Sequence, residues 1–226
     1  CFVLGNIYQP VHIGEIQNKG LALNVDIFND KGKPIKNNKG ELVCKNPFPS
    51  MPLKFWNDKN DNKFKDAYFN RFSHTWHHGD FAEIKETRGF VIHGRSDTTL
   101  NPGGVRLGTA EIYSEVEKFK EIKESIVVGQ SWDNDVRIVL FIVMNTKFYF
   151  TEDLLKKIKI QIRKNASPRH VPSKVIVVKD IPRTKSGKIV ELAVKNTIEG
   201  NNIKNIEALA NPKALEQFKN LKELSI

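Results

Sequence analysis

The apolar positions of this 226-residue chain change their spacing from one end to the other. Between Val11 and Val43 they come in short stretches broken by Gly, Asn and Pro, as in HIGEIQNKGLALNVDIFND (12–30) and the turn-rich KGKPIKNNKGE (31–41). Runs that short, bounded by turn residues, predict strands joined by hairpins. Pro47, Pro49 and Pro52 mark an irregular connection, FKDAYFNRF (64–72) reads as a short helix, and GFVIHGRSD (89–97) as a strand running into a polar turn. NPGG (101–104) reads as a tight turn with its return from Val105. A helix then follows, capped by Thr109, with Ile112, Val116 and Phe119 at helical spacing. ESIVVGQ (124–130) and VRIVLFIVM (136–144) are rich in β-branched residues and joined through WDND, a strong turn composition. Thr151 can cap a helix over 152–165 whose Leu154, Leu155, Ile158 and Ile162 form one stripe. KVIVVK (174–179) is a third strand and IVELAVKNTI (189–198) a final helix. The fold class is therefore α+β: a β-rich segment, then after Asp97 a few strands with helices packed on them.

Composition bounds the function. With 39% hydrophobic and 27% charged residues the chain is that of a globular protein. Its formal charge of +10 is spread, 14 basic against 10 acidic residues over 1–96 and 22 against 16 over 97–226. A diffuse excess favours anionic small ligands or a solvated surface over a nucleic-acid stripe. A basic module for nucleic acid or acidic partners stays the alternative. Cys1 and Cys44 are too few for a disulfide framework, which suits a reducing, cytoplasmic setting. The longest apolar run, Ile138 to Met144, is far short of the ~20 residues a membrane span needs. The chain opens C-F-V-L-G and its first methionine is Met51, the pattern of part of a longer polypeptide.

Four places combine polar side chains with glycine: WHHGD (76–80), GRSD (94–97), NPGGVR (101–106) and RTKSGK (183–188). His77 and His78 do not read as a metal pair, because neighbours in a strand point to opposite faces, and no metal site is expected. Asp80 after Gly79 can belong to a turn or can accept both hydroxyls of a ribose. Arg95 and Asp97 can be a surface ion pair, worth little in stability. Gly103 and Gly104 can supply a hairpin's positive φ, or let backbone approach a ligand beside the charge of Arg106. The lysine-rich loop is not a mononucleotide P-loop, since Gly187-Lys188 is followed by Ile189 rather than Ser or Thr. Lys185 and Arg183 can be solvated cations, whereas Lys188, at a loop-to-helix junction, suits an anion.

Taken together, Gly-Asp, Gly-Arg-x-Asp with Gly-x-Arg beyond it, and Pro-x-Thr-x-Ser-Gly-Lys about eighty residues later resemble the later motifs of the adenylate-forming acyl-CoA synthetase superfamily. WHHGDFAEI, GRSDTTLNPGGVRLGTAEIY, SPRHVPSK and IPRTKSGKIVELAVKN, with the tail EALANPKALEQF, resemble its acetoacetate-activating branch. Acetate or propionate are the alternative acids. The resemblance implies that residues 1–96 end a large N-terminal body and 97–226 form a mobile lid, with the missing N-terminal part as partner. It implies small-molecule substrates, with ATP, Mg2+ and coenzyme A as cofactors, and no nucleic acid or membrane. Lys188 would be the catalytic lysine, Asp80 the ribose ligand assisted by Arg95, and Asp97 the hinge. Gly103 and Gly104 would line the pantetheine passage, Arg106 would meet phosphate, and Arg163 the 3′-phosphate of coenzyme A. The superfamily's earlier Ser/Thr/Gly-rich phosphate loop and its acyl pocket are absent from this chain, which alone should not complete adenylation.

Overall fold

The computed structural model describes residues 1–203 and 205–225. The chain divides into two compact units, Cys1–Ser96 and Asp97–Ile226. Mixed strands and helices in both fit the α+β class.

In the first unit, β1 (Val3–Leu4) pairs with β2 (Asn18–Lys19). β3 (Val25–Phe28), β4 (Gly40–Cys44), β5 (Trp76–Ile84) and β6 (Phe90–Arg95) form an antiparallel meander in that spatial order. All five residues of β4 are buried, because both of its faces are covered. Leu42 and Cys44 join Phe2, Ile27, Trp76 and Phe90 on one side, while Val43 meets Phe28 and Phe72 on the other. The short helix α1 (Asn62–Tyr68) docks through Tyr68, stacked on Trp76 with ring centroids 3.7 Å apart. Such aromatic pairs contribute beyond the area they bury.

The second unit is built on a long hairpin. β7 (Ile122–Trp132) and β8 (Asp135–Met144) pair antiparallel over their whole length, turning through Asp133 and Asn134. Both turn residues have positive φ (50° and 59°), the geometry that matches strand twist in a two-residue hairpin. β9 (Lys174–Val177) adds to β8 in parallel, which requires the crossover supplied by α3 (Glu152–Asn165). Thr151 caps α3, its hydroxyl accepting from the Leu154 amide at 3.2 Å.

The hairpin's near-continuous apolar run is explained by cover on both faces. On one face Val127, Ile138 and Leu140 pack with Ile112 and Val116 of α2 (Thr109–Val116) and Ile158 of α3. On the other, Val128, Val139 and Phe141 pack with Val194 of α4 (Glu191–Ile198), Leu215 and Phe218. Among the described residues no helix is long and apolar enough to cross a membrane.

Two local expectations need correcting. Thr109 is the first helical residue of α2 rather than its cap, and is buried, Gly108 standing at the cap position. α4 begins at Glu191, because Ile189 is held in an antiparallel bridge with Arg183. The tail, which carried no expectation of its own structure, forms a 3₁₀ stretch, Pro212–Phe218, that completes the core.

Phe218 is fully buried and meets Phe141 edge to face at 4.9 Å. Phe218→Ala should therefore lower unfolding free energy by about 3–5 kcal/mol, the usual cost of truncating a core aromatic. Urea titration followed by circular dichroism checks this, and a midpoint left in place would mean that the tail is not core.

Candidate functional site

In the first unit, Asp80 and Arg95 face each other across β5 and β6. Asp80 lies within a strand, not in the turn its sequence permitted. Arg95 Nη1 stands 3.4 Å from Asp80 Oδ1, and His78 Nε2 3.3 Å from Oδ2. These are long contacts, weaker than a well-formed hydrogen bond. The carboxylate is thus oriented by two nitrogens while keeping acceptor capacity for further donors. Gly79 makes the arrangement possible: its φ is +83°, and a Cβ there would stand 2.8 Å from Arg95 Nη2. Register shifts in β5 on both sides, against β4 and β6, re-aim this segment as bulges do.

The two histidines take different partners, as strand alternation demands. His77 Nε2 is 2.8 Å from the fully buried Glu41, whose carboxylate also accepts from the Ser96 hydroxyl and lies 3.1 Å from Arg71. A buried carboxylate requires such partners, because desolvation disfavours its charge. Glu41 thereby fixes Ser96, the last residue of the first unit, and sequence reasoning missed it. The available signal was a glutamate inside the apolar stretch GELVC (40–44).

In the second unit the Asn101–Arg106 turn projects between Leu100 and Leu107, which are buried and bridged to each other. Gly103 and Gly104 have φ of 58° and 74°, which favours glycine, and a Cβ added at either meets nothing within 4 Å. Both are exposed. The Gly103 amide donates to both carboxylate oxygens of Asp135, at 2.9 and 3.0 Å, so the turn is pinned to the tip of the β7–β8 hairpin. A cavity of about 660 Å³ opens there, lined by Asn101, Gly104, Trp132 and Asp135 among others. Arg106 is half-buried, its Nη2 3.4 Å from the Thr99 hydroxyl. Asp97 opens the unit. Arg163 is exposed in the last turn of α3.

Lys188 is exposed in a closed turn just before α4. Thr184 organises that turn: its amide donates to the Lys188 carbonyl at 2.8 Å, its hydroxyl accepts from the Lys188 amide at 3.0 Å, and its carbonyl accepts from Gly187 at 2.8 Å. Gly187 supplies the positive φ, 85°. The Lys185 amide donates to Ala208 and the Ala210 amide to the Arg183 carbonyl, which fastens the outer flank. The result is a cationic side chain extending from a hydrogen-bonded backbone rather than from a loose loop. Such a charge meets an anion with little reorganisation. Among the proposed site residues, Asp80 and Arg95 belong to the first unit and the others to the second.

Residues 111–188 match the family described as AMP-binding enzyme C-terminal domain. The chain is similar to the acetoacetyl-coenzyme A synthetase of Rhizobium meliloti (strain 1021), 59% identical over 224 residues, covering 99% of this chain and 34% of that protein. The acetoacetyl-CoA synthetase of Xenopus tropicalis is 46% identical over 226 residues, again 99% of this chain and 34% of the relative. Among solved structures, acetoacetyl-CoA synthetase from Streptomyces lividans superposes with a TM-score of 0.92 at 38% identity, covering 100% of this chain and 34% of that one. The chain thus spans about a third of the length of these relatives.

Burial pushes the His78 imidazole below its ordinary value of 6.5, the Arg95 cation adding to the fall and the Asp80 carboxylate opposing it. Below about 6.5 the unfolded chain therefore takes up a proton that folded His78 refuses. The His78 contribution to stability should be fully present above that pH and be lost as pH falls from there toward the depressed folded value. Denaturation measured across this window should show a shallower pH dependence for His78→Gln, and an identical slope would exclude His78 as its source.

Proposed function

We propose that this chain, which corresponds to a C-terminal portion of acetoacetyl-CoA synthetases, serves an acetoacetate–CoA ligase that works in two half-reactions. In the first, a carboxylate oxygen of acetoacetate attacks the α-phosphorus of ATP, giving acetoacetyl-AMP and pyrophosphate. In the second, the thiol of coenzyme A attacks the acyl carbon and AMP leaves. The observation that carries this reading is Lys188, exposed on a hydrogen-bonded turn at the end of the segment that matches the AMP-binding enzyme C-terminal domain.

Two anions must approach for the first bond to form, and Lys188 offers the neutralising charge where they would otherwise repel. A preorganised charge of this kind contributes roughly 10²–10³ in rate. Asp80, oriented by His78 and Arg95, accepts the ribose hydroxyls, two acceptor oxygens facing two donors. Arg106 meets phosphate. Gly103 and Gly104 line the passage for pantetheine, where bare glycine backbone leaves room, and Arg163 meets the 3′-phosphate. Mg2+ is read as arriving with the ATP polyphosphate, whose charge it offsets.

Residues 1–96 are read as the end of the N-terminal body and 97–226 as a lid turning about Asp97. A lid that swings between half-reactions can withdraw Lys188 once adenylation is complete, so that one chain serves two chemistries.

In the full-length enzyme carrying this segment, Lys188→Ala should lower acetoacetate-dependent ATP–pyrophosphate exchange by about 100-fold or more. Thioester formation from supplied acetoacetyl-AMP should stay within a few-fold, and equal loss of both half-reactions would refute the role. Asp97→Pro, by fixing φ, should slow thioester formation more than adenylation. An unaltered thioester rate would remove Asp97 as the pivot.

A further inference from the structure

The turn that carries Lys188 is flanked by two ties that both lead to the same strand. On its N-terminal side, Arg183 Nη2 is 3.0 Å from Glu124 Oε2, and Arg183 Nη1 donates to the Gly187 carbonyl at 3.0 Å. On its C-terminal side, the Tyr113 hydroxyl donates to Glu191 Oε1 at 2.5 Å while accepting from the Val127 amide at 3.0 Å. Glu124 and Val127 belong to β7, an edge strand of the three-stranded sheet. Tyr113 comes from α2, on one face of that sheet, whereas Glu191 opens α4 on the other. One phenol oxygen therefore joins the two layers around the sheet's edge, three residues from Lys188.

We infer that Tyr113 is a positioning residue for the first half-reaction: by holding Glu191 against the edge of β7, together with the Arg183–Glu124 pair, it sets where Lys188 stands. The inference rests on the role of Lys188 proposed above. The donor is dependable, since burial first and the Glu191 carboxylate second raise the Tyr113 hydroxyl well above its ordinary range and keep its proton in place. A hydrogen bond from such a group to a carboxylate, here between two half-buried side chains, is among the stronger kinds. Ile189 is bridged to Arg183 and α4 packs in the core, and the Tyr113–Glu191 bond adds to these a directional tie on the α4 side of the turn, where displacement of a charge by an ångström costs catalysis steeply.

Tyr113→Phe in the full-length enzyme keeps the ring's packing and deletes only the hydroxyl. Acetoacetate-dependent ATP–pyrophosphate exchange should fall about tenfold in kcat, with thioester formation from supplied acetoacetyl-AMP held within about two-fold. Amide exchange in the 184–190 segment should accelerate. Glu191→Gln keeps an acceptor for the phenol and should retain most of the activity, whereas Glu191→Ala should behave like Tyr113→Phe and serves if the tyrosine variant does not fold. Added to Lys188→Ala, Tyr113→Phe should cause no further loss, because its effect passes through the lysine. Unchanged adenylation, unchanged 184–190 exchange, or equal loss in both half-reactions would overturn the inference. If Lys188→Ala itself left adenylation intact, the proposed function would fall, while the exchange measurement would still judge the tie.

Discussion

The β7–β8 hairpin is the constraint on which the second unit depends. Its apolar side chains point alternately to both faces, so neither face can be left to water, and the helices around it cover one or the other. α2 and α3 cover one face, and α4 with the 212–218 stretch covers the other. The polar turns that precede α2 and α4 are then carried to fixed places by helices whose positions the core dictates. The glycine turn is pinned to the hairpin's tip through Asp135, and the lysine turn to its edge strand through Glu124 and Tyr113. Catalytic candidates on loops are thus held by a rigid frame, which lets exposed side chains keep a defined geometry.

The first unit solves a different problem with similar means. Asp80 lies in a strand that is displaced in register, beside a glycine that lets Arg95 lie across the backbone. Beneath it, the fully buried Glu41 gathers His77, Arg71 and Ser96. A charge with no access to water must be matched by donors in fixed positions, so this cluster specifies how β4, β5 and the end of β6 meet. The half-buried Asp80 carboxylate, proposed as the ribose ligand, carries less of that structural demand than the buried Glu41.

Much of the second unit was legible in the chain itself. The β-branched runs, the WDND turn and the Thr151 cap each carry a local physical preference, and the structure places strands, turn and helix where those preferences put them. The site motifs were legible for a related reason: glycine at positive φ and cations beside it are local chemistry. The partners were not. Nothing near Tyr113 in sequence points to Glu191, 78 residues away, and nothing near Glu41 points to Ser96, 55 residues away. Asp133 and Asn134 were readable as a turn, but that the next residue, Asp135, would hold Gly103 was not.

The sequence by itself determined the α+β class, the strands β6 to β9 to within a few residues, the helices of the second unit and the residue kinds that handle anions, because period, propensity and φ preference act within a few residues. Tertiary structure alone decided that Asp80 sits in a strand rather than a turn, that α4 starts two residues late, and that the tail packs into the core through Phe218. Each of these turns on a contact between distant segments: bulged pairing, the bridge of Ile189 to Arg183, and burial against Phe141. Local preference is worth a fraction of a kcal/mol per residue, and burial of an aromatic ring about 3 kcal/mol, so where the two disagree the long-range contact prevails.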